Sequence, residues 1–304
     1  MKKRVKLVFN LVIFLIVIGF VWYMAKSINS DKESGLGRAA QPAELFDSPY
    51  VMATSIELSE NVNRIDLYND MLFVAAEQTV YVLDIEGVET GRFPVDSGVR
   101  DIAVSGNEVF LLYPKQIAVY NYVDLQLVRQ WEACSNLSDY CSFAVSGNSV
   151  FVTDADNKNI CQYTADGDFV RFINSPAGFI IPSYSFDIDV WNDTLYVSNS
   201  GRHQIETYTL EGDFIFAFGS SGAAAGSFAG CCNPVFFTFT PEGTLVTSEK
   251  GNPRVSKFTR CGNFEEVALN SGMLGTGTHA REVRATDDKL FVATRNLIMV
   301  FKLI

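Results

Sequence analysis

One short element recurs six times along this 304-residue chain: a tight polar turn leading into an apolar strand. Its copies are Asn69-Asp70-Met71-Leu72-Phe73-Val74, Gly106-Asn107-Glu108-Val109-Phe110-Leu111, Gly147-Asn148-Ser149-Val150-Phe151-Val152, Asn192-Asp193-Thr194-Leu195-Tyr196-Val197, Glu242-Gly243-Thr244-Leu245-Val246 and Asp287-Asp288-Lys289-Leu290-Phe291-Val292. Anchored on Phe73, Phe110, Phe151, Tyr196, Val246 and Phe291, the spacings are 37, 41, 45, 50 and 45 residues. Eight positions earlier stand Ile65, Ile102, Phe143, Ile188, Thr238 and Val283, so a preceding strand recurs in register with each hairpin. Gly, Asn and Asp at the turn supply the positive φ that short hairpins demand.

A second turn follows three of the hairpins. Tyr163-Thr164-Ala165-Asp166-Gly167-Asp168-Phe169, Tyr208-Thr209-Leu210-Glu211-Gly212-Asp213-Phe214 and Phe258-Thr259-Arg260-Cys261-Gly262-Asn263-Phe264 share an aromatic-Thr-x-x-Gly-polar-Phe pattern. Each repeat therefore reads as a four-stranded antiparallel meander, and periods of about 40 to 50 residues with four strands mark β-propeller blades. A two-layer sandwich would leave the six in-register copies unexplained. The expectation is an all-β, six-bladed β-propeller over residues 50–304. After Phe291 only one further strand fits, Leu297 to Leu303, so the extended stretch Tyr50 to Leu58 is expected to complete the last blade and cover its edge. A 48% apolar and 13% aromatic composition is enough for a large core and excludes general disorder.

The chain before the repeats reads as an address. Residues 1–6 hold four Lys or Arg, and Leu7 to Met24 carries no charge. As a helix that run is about 27 Å long, close to a bilayer core. Its length, and the poor cleavage site Ala25-Lys26-Ser27, favour an uncleaved signal anchor at 7–25 over a cleaved signal peptide. The positive-inside rule keeps 1–6 in the cytoplasm, makes 26–49 a flexible polar stalk, and places the propeller on the extracytoplasmic, periplasmic side of a bacterial inner membrane. The whole chain has a formal charge of −11, but five basic residues and no acid lie in residues 1–26. Beyond them stand 19 basic against 35 acidic residues, a net charge of −16. Such a surface repels phosphate backbones, so nucleic acid is excluded as a partner.

Blade four, Tyr196-Val197-Ser198-Asn199-Ser200-Gly201-Arg202-His203-Gln204-Ile205-Glu206-Thr207-Tyr208 followed by Gly212-Asp213-Phe214, resembles the NHL repeat. Blades three and five are similar through Asp154-Ala155-Asp156-Asn157-Lys158-Asn159-Ile160 and Glu249-Lys250-Gly251-Asn252-Pro253-Arg254-Val255, while the other three keep the strands and lose the motif. The resemblance implies that the connections between blades share one face with the turns between second and third strands, and that ligands bind there. On that face it places Arg100, Asp101, Asp187, Arg202, His203, the loop Ser227 to Pro234, Glu249, Lys250, Arg254, Arg281 and Glu282 as candidate ligand-binding residues.

The most unusual element is Gly230-Cys231-Cys232-Asn233-Pro234, which looks like a bacterial membrane-anchored subgroup of NHL-like propellers. Three chemistries fit the cysteine pair in an oxidising compartment: a strained vicinal disulfide, pairing with other cysteines, or two thiolates offered to a metal ion or redox cofactor. Cys134 and Cys141 flank a short loop and form a candidate local disulfide; Cys161 and Cys261 lie late in blades three and five.

Some NHL-like propellers are zinc-dependent lyases that need several converging histidines, and this chain has only His203 on the implied face, with His279 near its rim. Calcium-dependent lactonase propellers use carboxylates and amides, for which Asp101, Asp187, Asn233, Glu249 and Glu282 supply the oxygen types but no family motif. The leading expectation is a membrane-anchored binding or scaffold module for a protein or small ligand. The alternative is a metal- or cofactor-dependent enzyme, lyase- or lactonase-like, or an electron-transfer accessory, using the same face.

Overall fold

The computed structural model describes residues 48–275 and 279–304. Blade one is β2 (Val62–Tyr68), β3 (Met71–Ala76), β4 (Thr79–Asp84) and β5 (Glu89–Pro94), and β1 (Tyr50–Glu57) precedes it. Blade two is β6 (Asp101–Ser105), β7 (Glu108–Tyr113), β8 (Gln116–Asn121) and β9 (Gln126–Glu132). Blade three is β10 (Tyr140–Ser146), β11 (Ser149–Asp154), β12 (Asn159–Thr164) and β13 (Phe169–Ile173). Blade four is β14 (Ile188–Trp191), β15 (Thr194–Asn199), β16 (Gln204–Thr209) and β17 (Phe214–Phe218). Blade five is β18 (Phe236–Phe239), β19 (Leu245–Glu249), β20 (Arg254–Phe258) and β21 (Phe264–Leu269), followed by a single helical turn, α1 (Ser271–Leu274). Blade six is β22 (Glu282–Ala285), β23 (Lys289–Thr294) and β24 (Leu297–Leu303). The six four-stranded antiparallel sheets form a six-bladed β-propeller, with β2, β6, β10, β14, β18 and β22 packed in a ring around the central channel.

Closure follows the expected route. β1 pairs antiparallel with β24, Tyr50 opposite Leu303 and Glu57 opposite Leu297, so the first strand is the outermost strand of blade six. Tyr50 is 2% exposed and joins a core with Leu269, Val283 and Phe301, which ties blade six to blade five as well. The expected anchor at 7–25, the segment 1–6 and nearly all of the stalk lie outside the described residues. Among the described residues no helix is long and apolar enough to cross a membrane.

The turn chemistry explains the strand order. Asn69 and Asp70, and again Asn192 and Asp193, have positive φ at both turn positions, the geometry that matches the twist of a two-residue hairpin. The glycine of the second motif serves packing between blades. At Gly167 (φ 98°) an added Cβ would sit 2.8 Å from the Trp131 ring of the preceding blade, so backbone there closes directly against an aromatic side chain. One spacing departs from expectation. The β18–β19 connection runs from Phe239 to Leu245, longer than the others, so the counterpart of Ile65 and Ile188 is Phe237 rather than Thr238. Phe237 is 1% exposed in the core between blades.

Candidate ligand-binding mouth

Along each innermost strand the residues flanking the core anchor turn toward the channel, because successive strand side chains alternate faces. At the connection end these are Arg64, Asp101, Ser142, Asp187, Phe236 and Glu282; one step deeper stand Asp66, Asp189 and Arg284. The channel thus holds two guanidiniums and five carboxyl groups. Arg284 donates to Glu282 Oε1 at 2.8 Å and pairs with Asp66 at 3.4 Å. Arg64 Nε lies 3.5 Å from Glu282 Oε2 and 3.7 Å from Asp101 Oδ1. Its guanidinium covers the Phe236 ring at 4.5 Å, a cation–π contact that fixes its plane.

Burial dominates the electrostatics. It pushes the Glu282 and Asp189 carboxyls up to about 7, and, with Asp101 alongside, Asp187 up to about 6. Burial alone would weaken Arg64 as a base, but Glu282, Asp101 and Asp187 outweigh it and hold the guanidinium charged. The Ser142 hydroxyl donates to Asp101 Oδ2 at 2.6 Å and stands 2.8 Å from Asp187 Oδ1. One hydroxyl proton cannot serve both carboxylates, so the second contact is satisfied when Asp187 carries a proton.

Three cavities open on the connection face, of about 630, 490 and 220 Å3, and Arg64 is in the wall of all three. The largest lies between blades five, six and one, against His279, Arg281, Glu282 and Arg295; the second lies against Arg100, Asp139 and Tyr184; the third against Ser183, Tyr184 and Phe236. Ser183 and Tyr184 both have positive φ, at 58° and 56°, and Tyr184 is 56% exposed over the second and third cavities. Consecutive left-handed non-glycine residues are strained, and such strain clusters at binding sites.

The candidates read from the sequence divide accordingly. Arg100, Asp101, Asp187, Arg281 and Glu282 come together at the mouth. Arg100 is already engaged, donating to Asp139 at 2.5 Å and to the Tyr140 carbonyl at 2.7 Å. Glu249 and Arg254 are engaged with each other away from the three cavities: both are buried, Arg254 Nε donates to Glu249 Oε1 at 2.5 Å, and the same guanidinium donates to the carbonyls of Ala223, Ala224 and Ser227. The pair clamps the long loop entering blade five. Asn233 acts likewise, exchanging hydrogen bonds with backbone N–H and C=O of Lys250 and donating to Ala229 O at 2.5 Å. Arg202 holds the entry to blade four through the carbonyls of Ala177 and Gly178. His203 is a left-handed cap (φ 58°) and lines none of the three cavities.

Cys231 and Cys232 also line none of the cavities, but Cys232 hydrogen-bonds Ser183, which is in the wall of the smallest one. Their Sγ atoms are 2.9 Å apart, and Lys250 reaches from beside them to Ser185 Oγ at 3.4 Å. Burial opposes ionisation of Cys232, yet hydrogen bonds from Cys231, Lys250 and Ser183 outweigh it and lower the thiol below its usual range, while Cys231 is raised by the same pairing. Among the described residues no set of three His, Cys, Asp or Glu side chains is arranged to hold a metal ion. The thiol that stands beside Cys134 is not the expected Cys141: Cys134 Sγ is 3.1 Å from Cys161 Sγ, and the Cys141 thiol points to the Asp139 carbonyl. The register of β12 carries Cys161 beneath the loop that leaves β9, which spacing along the chain did not reveal.

No protein-family model matches this chain, and no curated protein matches it. Solved structures resemble it in fold. A catalytically inactive virginiamycin B lyase from Staphylococcus aureus with quinupristin aligns at a TM-score of 0.59 and 15% identity, over 84% of this chain and 100% of that one. A streptogramin B lyase aligns at the same TM-score and identity, over 84% of this chain and 98% of that one. At this identity the likeness establishes a shared six-bladed propeller architecture.

Proposed function

We propose that this chain is a binding module whose site is the mouth of the channel on the connection face, held beside a bacterial inner membrane by the apolar segment 7–25. The observation that carries the reading is the convergence of three cavities on one guanidinium, Arg64, fixed over Phe236 and backed by buried carboxyls. Ligand pockets are concave and set placed polar groups among apolar walls, and this mouth sets its charged groups beside Phe236, Leu274, Leu297 and Met299. The Cys231-Cys232 loop borders the face, and the NHL-like motifs of blades three to five belong to the same reading. Its partner is a small molecule or a protein segment seated over Tyr184 and Phe236. Native mass spectrometry of the full chain, extracted in mild detergent, tests it. A retained mass lost in Tyr184→Ala but kept in Val170→Asp, on the outer rim, is expected; a retained mass insensitive to Tyr184→Ala overturns it.

A lyase-like enzyme is the second reading, favoured by the fold neighbours and by His279 in the wall of the largest cavity. It predicts conversion of quinupristin, or a bound metal or chromophore in the purified chain, with activity lost in His279→Ala. Elemental analysis and an absorption spectrum separate the two readings.

A further inference from the structure

The largest mouth cavity has a charge opposite to that of the domain around it. In a region of net charge −16, its wall carries three guanidiniums, Arg64, Arg281 and Arg295, against one carboxyl group, Glu282. Glu282 is shared, accepting from Arg284 at 2.8 Å through Oε1 and facing Arg64 Nε at 3.5 Å through Oε2. Arg64 donates to the Asn63 carbonyl at 3.2 Å, and its buried Nε makes no hydrogen bond among the described residues, facing Glu282 Oε2 and Asp101 Oδ1 only at ion-pair range, 3.5 and 3.7 Å. A guanidinium has five N–H donors in a planar fork, so part of this fork remains to be used. Burial first, and then the neighbouring charge of Arg295, depress the basicity of Arg281. That repulsion between like charges across the cavity is relieved by an anion placed between them. The rest of the wall sets apolar side chains, among them Leu274, Leu297 and Met299, beside the polar Asn63, Thr294 and Asn296.

We infer that this cavity binds a small molecule carrying a carboxylate or phosphate group on an apolar body, with the anionic group held by Arg64, Arg281 and Arg295. Arg64 is the pre-set fork, because Phe236 fixes its plane. Arg295, exposed on the turn between β23 and β24, closes the outer side. The volume of about 630 Å3 suits a ligand of drug-like size. The inference rests on the mouth being the binding face and adds the chemistry of what it takes.

The test is calorimetric titration of the full chain with four probes that share one tail: hexanoate, hexyl phosphate, hexanol and hexylamine. Saturable binding of both acids is expected, with hexanol and hexylamine much weaker. Arg295→Glu, an exposed change that spares the buried network, should weaken both acids by about tenfold or more, the scale of one charge-assisted hydrogen bond. Arg295→Gln should fall between. Acid binding unchanged by Arg295→Glu overturns the inference. Tighter binding of hexanol or hexylamine than of the acids overturns it too, while leaving a binding mouth in place. Silence from all four probes, with a retained mass that depends on Tyr184, removes the anion site alone; silence together with no such mass removes both readings.

Discussion

The Arg64 guanidinium lies face-on over the Phe236 ring at 4.5 Å, joining the innermost strands of blades one and five across the channel mouth. These strands are not neighbours in the ring, so the contact spans blade six. A cation–π pair of this kind contributes about 0.5–2 kcal/mol depending on desolvation. Its larger effect is positional, since it orients the fork that three cavities share.

Stability should fall as pH rises through neutrality. Asp187, Asp189 and Glu282 have carboxyls raised above their unfolded values, to about 6, 7 and 7, chiefly by burial. A raised carboxyl binds more protons folded than unfolded, so its stabilising effect is full below the unfolded pKa near 4 and is lost as pH climbs through the folded value. Thermal unfolding midpoints measured at pH 5 and pH 8 should therefore be higher at pH 5. Asp189→Asn should flatten the difference; an equal slope in that variant would contradict the assignment.

Arg254 is expected to matter for folding rather than binding. Its carboxylate partner Glu249 is 1% exposed, so Arg254→Ala strands a buried charge and should cost roughly 3–5 kcal/mol. Denaturant midpoints measure the loss, and the paired change Glu249→Gln with Arg254→Met should recover part of it. Unchanged stability with lost ligand binding would restore Arg254 as a ligand residue.

Oxidation with glutathione disulfide, followed by mass spectrometry of unreduced peptides, should link Cys134 to Cys161 and leave Cys141 free. The thiols of the first pair are 3.1 Å apart, whereas burial pushes the Cys141 thiol up to about 12 and keeps it protonated. A Cys134–Cys141 peptide would contradict the geometry.

Truncating Tyr50 should loosen ring closure. Its side chain is buried between β1 and the core of blades five and six, and Lys257 Nζ sits 4.8 Å over its ring. Tyr50→Ala should cost about 3 kcal/mol or more, as large aromatic truncations in cores do. Hydrogen exchange in β24 should rise with it; protection unchanged there would mean that β1 does not hold the blade.

The fold was readable because turn chemistry repeats: Asn69-Asp70 and Asn192-Asp193 mark hairpins whatever lies around them. Closure was readable because Leu297 to Leu303 leaves one strand missing. The site was only half readable. Asp101 and Glu282 start their strands, Asp187 immediately precedes its own, and all three are picked out by alignment with the blade ends, but Arg64, Asp66, Asp189 and Arg284 sit inside strands chosen for their apolar anchors. The signal was present in the alternation: a charged residue on both sides of Ile65, Ile188 and Val283 marks a face turned away from the core. Glu249 and Arg254 show the opposite case, since they are buried where a turn suggested exposure. Charges on a turn read as exposed, and the long loop that buries them belongs to blade five alone.

Site-specific photocrosslinking in producing cells tests the central claim most directly. A benzophenone side chain at position 184, over the mouth, should form a covalent adduct with a molecule other than the chain itself, and the same group at position 170, on the outer strand β13, should not. Adducts at 170 with none at 184 would place the binding surface on the rim and contradict the account.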